Sequence, residues 1–341
     1  MDSSPKPGNT RPLPSLPRVV FGFDTALQIH RSINKVNLGR ASSHVPSTRP
    51  PKRELRELLQ QLCTANGQPL FDLPVHLLMG SAHFHANEVS VPHLCRTPLP
   101  RKSIRKLSND AHVASANLAL CQIASTTSDL VPLLLLLWEA CGTYCTQRTG
   151  LLRSQGTIYN STPLTSVRAL KAFCARCPSL RGSRKLSRAL RYVADNSASP
   201  RETSLALLLG LPERLGGYNL GIPHMNKKVI ATEQAFAVSG KRFFRCDLCW
   251  PGQKIDLEYQ SRHSHEGEAK RIEDSRRTNA LASMGWNVIE MTNGEASSIS
   301  TLNIIANSLR KALGKRTRAQ GYELGDKRLE LCKKLGLISW W

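Results

Sequence analysis

The chain has 341 residues, and its 47 Lys and Arg against 25 Asp and Glu leave a formal net charge of +22 with histidine neutral. That excess makes a polyanion a better expected partner than an acidic small molecule, while a 40% hydrophobic content is enough to bury real cores, so a disordered chain is excluded and about two domains with tails are expected. The longest apolar run, Val131 to Trp138, falls well short of the roughly 20 residues a bilayer span needs, so a membrane protein is not expected either.

Residues 1–53 hold eight prolines and nine Lys or Arg against Asp2 and Asp24, and read as a largely flexible basic arm. One island in it, Val19 to Leu27, has the look of a strand running into a short helix capped by Asp24. The opening residues lack a basic segment followed by an apolar one, which together with ten scattered cysteines gives a cytoplasmic chain with reduced thiols. Leu55, Leu58, Leu59 and Leu62 then recur at helical spacing, and Pro74 to Met79 reads as a buried strand. Two apolar stretches, 114–124 and 130–140, fit a helical pair with Ser128 or Asp129 capping the second helix.

Residues 165–191 carry eight Lys or Arg and no acid. On a helix Arg184, Arg188 and Arg191 share a face, which reads either as a footprint for phosphates or as plain solvated surface. A loop by composition, 194–200, marks a boundary. Beyond it Ser199, Pro200 and Glu202 form a capping box that opens a helix. Strands are expected at 242–250 and 254–260 around a Pro251-Gly252 turn, a helix at 268–284 closed by Gly285, a strand at 286–291 and an amphipathic helix at 299–313. The expected fold class is α+β: a basic arm over 1–53, a mainly helical domain over 54–194, a mixed sheet flanked by helices over 195–313, and a basic helical tail over 314–341.

The hairpin carries the chemistry. Asp247 lies on its first strand, and Asp256, Glu258 and Gln260 alternate along one face of the second. With Gly252-Gln253 at the centre of a type II′ loop, Asp247 faces Glu258; with Pro251-Gly252 there, it faces Asp256 and Glu258 becomes its diagonal neighbour. Facing carboxylates repel unless a cation lies between them, and hard oxygen donors suit Mg²⁺ or Mn²⁺. The alternative is ordinary cross-strand pairing with Arg242, Arg245 or Lys254.

Several segments of 199–313 carry a resemblance: Ser199-Pro200-Arg201-Glu202-Thr203, Arg245-Cys246-Asp247-Leu248-Cys249-Trp250-Pro251, Glu258-Tyr259-Gln260-Ser261, His263-Ser264-His265, Asp274 to Leu281 and Gly285-Trp286-Asn287-Val288-Ile289. This part of the chain resembles the very-short-patch-repair-like endonuclease domains of the PD-(D/E)XK restriction-endonuclease-like superfamily. Residues 19–190 loosely resemble the helical, winged-helix-like leader of actinobacterial abortive-infection-type proteins.

The resemblance implies that Asp247 and Glu258 are the two motif acids holding Mg²⁺ against the scissile phosphate, and that Glu202 joins the metal shell. Gln260 stands where the founding motif has Lys, and a neutral amide can only position water, which bears on turnover. His265, with His263 as alternate, matches a histidine that orients water or phosphate; Asp274 and Arg277, one helical turn apart, are expected to pair within the helix or brace the site, with Arg276 or Arg277 touching a phosphate as the other reading. The implied activity is a Mg²⁺-dependent endodeoxyribonuclease acting in repair, defence or mobile-element biology; the alternative is an inactive, antitoxin-like nucleic-acid-binding regulator. A protein partner for the N-terminal region is a further expectation. A Cys₄ zinc site from Cys174, Cys177, Cys246 and Cys249 is not expected, because strand alternation sends Cys246 and Cys249 to opposite faces. Nucleotide hydrolysis and acyl transfer find no phosphate-cradling loop or nucleophile elbow in the sequence.

Overall fold

The computed structural model describes residues 18–32, 38–63, 67, 69–81, 84–146, 156–260, 268–316 and 322–338. The fold is α+β, with mixed sheets flanked by helices, and the chain divides into two compact units, Met1–Ala119 and Leu120–Trp341. Among the described residues no helix is long and apolar enough to cross a membrane.

The first unit contains β1 (Val19–Phe21), α1 (Phe23–Ser32), β2 (Ala41–Ser42), α2 (Lys52–Gln60), β3 (Val75–Met79), β4 (Ser90–Leu94), β5 (Ile104–Lys106), β6 (Ala111–Ala114) and the start of α3 (Ala116–Thr126). Its six strands follow the order β2-β5-β6-β1-β3-β4. The two innermost, β1 and β6, are buried at every position and run parallel, whereas β1 and β3 are antiparallel. Apolar residues on both faces of a short strand are what a fully covered sheet requires.

Two expectations change here. The island at Val19 is the centre of this sheet rather than part of an arm, with Asp24 in the first turn of α1; residues 1–17 lie outside the described residues. Between α2 and α3 the supposed mainly helical domain is strand and loop, and the chain divides at Ala119 instead of 194. Segments such as Ser-Val-Pro-His-Leu and Ile-Arg-Lys are too short for their periodicity to be informative. They take strand geometry from the ladders they join, β4 beside β3 and β5 between its near neighbour β6 and the sequence-distant β2.

The second unit holds the remainder of α3, then α4 (Leu130–Cys141), β7 (Tyr144–Cys145), β8 (Ile158–Tyr159), α5 (Val167–Arg176), α6 (Ser183–Ala189), α7 (Pro200–Gly210), β9 (His224–Ile230), α8 (Glu233–Ser239), β10 (Phe243–Trp250), β11 (Ile255–Gln260), α9 (Glu268–Ser283), β12 (Asn287–Thr292), α10 (Ile299–Ala312) and α11 (Tyr322–Lys334). Asp129 caps α4 by accepting a hydrogen bond from Val131 N, as expected. Trp138 on α4 is fully buried and donates from its indole to Tyr192 O at 2.8 Å.

Helix α7 is buried at every position from Glu202 to Gly210, which is how a helix apolar on all sides must sit. The sheet of this unit has the order β12-β11-β10-β9, with β9, β10 and β11 antiparallel and β12 parallel to β11. A parallel neighbour requires a crossover, and α9 supplies it. The strand β9 and helix α8 were not expected: the Lys-Lys in His224–Ile230 obscures its alternation, yet charge is common on an edge strand.

The C-terminal segment is part of this unit rather than a separate tail. Leu331, Cys332, Leu335 and Leu337 are buried. Arg328 is buried with its guanidinium 3.9 Å from the centre of the Tyr218 ring, and Ser204 and Arg201 of α7 donate to Leu335 O and Gly336 O.

Candidate metal centre

The β10–β11 ribbon pairs Leu248 with Leu257, Cys249 with Asp256 and Trp250 with Ile255. This is the register in which Asp247 lies opposite Glu258. The connection is not the expected two-residue type II′ loop, however. Gln253 N donates to Trp250 O and Lys254 N to Pro251 O, and Lys254, not Gly252, takes the positive φ of 52°. Four residues, Pro251 to Lys254, therefore make overlapping turns between the same two strand ends.

Regular pairing is interrupted at Asp247, where the ladder to β11 ends and the ladder to β9 skips one position before resuming in the same register. Asp247 drops out of both ladders, as does its neighbour across β9, Asn226, whose φ is 47°. The freed Asp247 side chain accepts a hydrogen bond from Tyr259 N at 3.1 Å. This break also reverses Cys246. Strict alternation from the Leu248–Leu257 pair would keep Cys246 away from Asp256 and Glu258, yet the three place a ligand atom each within 4.8 Å of one another. Cys246 and Cys249 share one apolar cluster with Phe244, Ala280, Leu281 and Trp286, so the opposite-face argument does not hold for them.

Glu202 arrives from α7. Its N–H donates to Ser199 Oγ at 3.1 Å, and its carboxylate accepts from Ala198 N at 3.0 Å, from Ser199 Oγ at 2.9 Å and from Asn226 Nδ2 at 2.7 Å. The capping role is thus real. The same side chain is also close enough to Asp247 and Glu258 for their charges to interact.

Burial first, then the charges of Glu258 and Glu202, push the Asp247 carboxyl up to about 7. Burial and the adjacent Asp256 push Glu258 up to about 8. Glu202 and Asp256 are raised as well, chiefly by burial. Asp256 is fully buried, and neither of its carboxylate oxygens accepts a hydrogen bond among the described residues.

Among the described residues one cation answers this group. Arg277, from α9, pairs with Glu258, lies 3.9 Å from Asp256 and donates to Arg245 O at 2.7 Å. It replaces the cross-strand pairing weighed for Arg242, Arg245 and Lys254; Lys254 donates instead to Met284 O. Arg277 therefore braces the acids, one of the two structural roles expected of it, and is not the free phosphate-binding side chain of the other expectation. The one guanidinium is outnumbered by the carboxylates of Glu202, Asp247, Asp256 and Glu258. Such a set of carboxylate oxygens fits a hard divalent cation, which would offset the charge.

The other expected residues divide. Gln260 ends β11 exposed, with its amide nitrogen donating to Glu290 Oε2 at 2.9 Å. Arg276 is exposed on α9, and Arg184, Arg188 and Arg191 are exposed on α6 and the turn after it. Arg191 spends part of its guanidinium on Arg188 O and lies beside the Tyr192 ring. His263 and His265 lie outside the described residues. Asn226 escaped the sequence reading, since nothing near it in the chain signals a carboxylate partner 24 residues earlier. No protein-family model, curated protein or solved structure matches this chain.

Proposed function

We propose that the second unit is a metal-dependent endonuclease that hydrolyses phosphodiester bonds of DNA, serving repair, defence or mobile-element biology in the cytoplasm. One observation carries this reading. Carboxylates from adjacent antiparallel strands, Asp247 and Glu258, and a third from a preceding helix, Glu202, lie near enough for their charges to interact, in a sheet whose last strand runs parallel to the acid-bearing β11, although the described ligand atoms that gather within 4.8 Å are those of Cys246, Asp256 and Glu258. That topology and that trio are what the PD-(D/E)XK resemblance implies.

In this reading Asp247, Glu258 and Glu202 hold Mg²⁺ or Mn²⁺. Once bound, the ion offsets the phosphate charge and lowers the pKa of an attacking water. The residues of the chain keep the acids poised: Tyr259 N–H orients Asp247, while Asn226 and the capping box orient Glu202. Gln260 contributes no proton, and its amide is engaged by Glu290. The exposed arginines of α6 and α9 supply contacts to phosphate that carry no sequence information.

A second reading, a nucleic-acid-binding regulator without turnover, is favoured by two contacts: Arg277 on Glu258 and Gln260 tied to Glu290. Nicking of supercoiled plasmid separates the two. The nuclease reading expects nicking with Mg²⁺ or Mn²⁺ that Asp247→Ala and Glu258→Ala both abolish. Salt-sensitive DNA binding by the wild type without nicking favours the regulator, and nicking unchanged in both variants removes these acids from the reaction.

A further inference from the structure

A cavity of about 800 Å³ opens along the free edge of the second unit's sheet, walled by β9, β10 and the segments 193–196 and 222–223. One wall is apolar, with Val167, Val193, Ile222 and Pro223. The other is cationic, with Lys227, Lys228 and Arg245.

The cationic wall is built against its own stability. Arg245 and Lys228 are directly paired across the β10–β9 ladder, and like charges facing each other there are destabilising. Neither side chain has an ion-pair or hydrogen-bond partner among the described residues; Lys228 lies 4.1 Å from the centre of the Phe243 ring, and Arg245 is exposed. The acid in the wall, Asp195, is already engaged with Val167 N at 2.8 Å. An anion between the two strands would relieve the repulsion.

The cavity also touches the acid cluster. Asn226 lines it and donates to Glu202 Oε2 at 2.7 Å. A ligand seated here is therefore one side chain away from the carboxylates.

We propose that this cavity seats one nucleotide of a single-stranded stretch of the substrate, with its phosphate between Arg245 and Lys228 and its sugar and base against the apolar wall. The assignment rests on the endonuclease reading for what happens next, not for binding itself. The volume lies within the roughly 300–1,000 Å³ typical of pockets for small organic ligands, which suits a mononucleotide unit. A base stacked inside a duplex would have to leave its stack to enter a cavity of this size, whereas an unpaired nucleotide need not. The substrate class is thus DNA presenting an unpaired strand beside the cleavage point, rather than continuous duplex.

The test is fluorescence anisotropy in EDTA with three labelled DNA probes: a single strand, a blunt duplex, and the same duplex with a single-stranded overhang. Wild-type protein should bind the single strand and the overhang at least about tenfold more tightly than the blunt duplex. The double substitution Lys228→Gln with Arg245→Gln should remove that preference, each single substitution giving an intermediate loss. Because both cations face one phosphate, neutralising them should also lower the slope of log affinity against log salt on the single strand by about 0.7. Both side chains are exposed and their mutual repulsion is relieved by the substitutions, so the variants should unfold at or slightly above the wild-type midpoint. Equal binding of all three probes by wild type, or an unaltered preference in the double variant, overturns the assignment. Because the readout needs no cleavage, a preserved strand preference with no nicking under Mg²⁺ would sink the nuclease reading and leave the cavity assigned; nicking without strand preference would do the reverse.

Discussion

Asp247→Asn should make the metal-free protein more stable at alkaline pH. In the folded state this carboxyl is pushed up to about 7 from an ordinary value of 3.8, by burial and by Glu258 and Glu202. The sign follows from proton counting. Between about pH 4 and pH 7 the unfolded chain has released this proton while the folded one retains it, so stability falls as pH rises, by up to about 1.4 kcal/mol per pH unit from this group. Above about 7 the loss is complete. A difference of about three units amounts to about 4 kcal/mol, of which structural relaxation should leave about 2 to 4 kcal/mol to be measured. Asparagine keeps the shape and an oxygen for Tyr259 N–H but carries no charge. Urea unfolding in EDTA, repeated from acidic to about pH 9, should show the variant more stable at the alkaline end and the gap closing as pH falls. Added Mg²⁺ should stabilise wild type more than the variant. A variant no more stable than wild type at alkaline pH would refute the idea that these carboxylates repel one another in a site short of positive charge.

Arg277→Gln leaves Asp256 and Glu258 without their cation and should cost about 3–5 kcal/mol above about pH 8, where Glu258 is ionised, the usual penalty for breaking a buried pair. Its cost should shrink in acid, where the carboxyls hold their protons, and adding Glu258→Gln should recover much of it in a double-mutant cycle followed by urea unfolding. A chain ending after Leu313 loses the buried Leu331, Leu335 and Leu337 and uncovers their partners in the second unit. At roughly 1.5–3 kcal/mol for each buried side chain, truncation should cost more than about 4 kcal/mol and show as dye-binding apolar surface and a lowered unfolding midpoint.

Local chemistry made much of the second unit legible. Ser199, Pro200 and Glu202 announce the start of α7, and Gly285, at φ 78°, ends the helix before β12. Alternation along Ile255–Gln260 put Asp256 and Glu258 on one strand face, and the register opposing Asp247 to Glu258 was one of two that the turn allowed. These features depend on neighbours within a few residues, so the order of side chains along the chain was enough to specify them.

Tertiary structure decided the rest, because each remaining feature depends on groups far apart in sequence. The short strands of the first unit acquire their geometry by pairing, as β1 does with β6 some 90 residues on. The ladder break at Asp247 and Asn226 needs both flanking strands in place before Cys246 can join Asp256 and Glu258. Arg277 could be read along the chain as a brace of the site, an intrahelical partner or a phosphate contact, and only the crossing of α9 over the ribbon laid it on Glu258, a pairing that no periodicity along the chain encodes. A buried charge is tolerated only beside a partner. That partner comes from packing, and so the acids could be read from the sequence while their balance of charge could not.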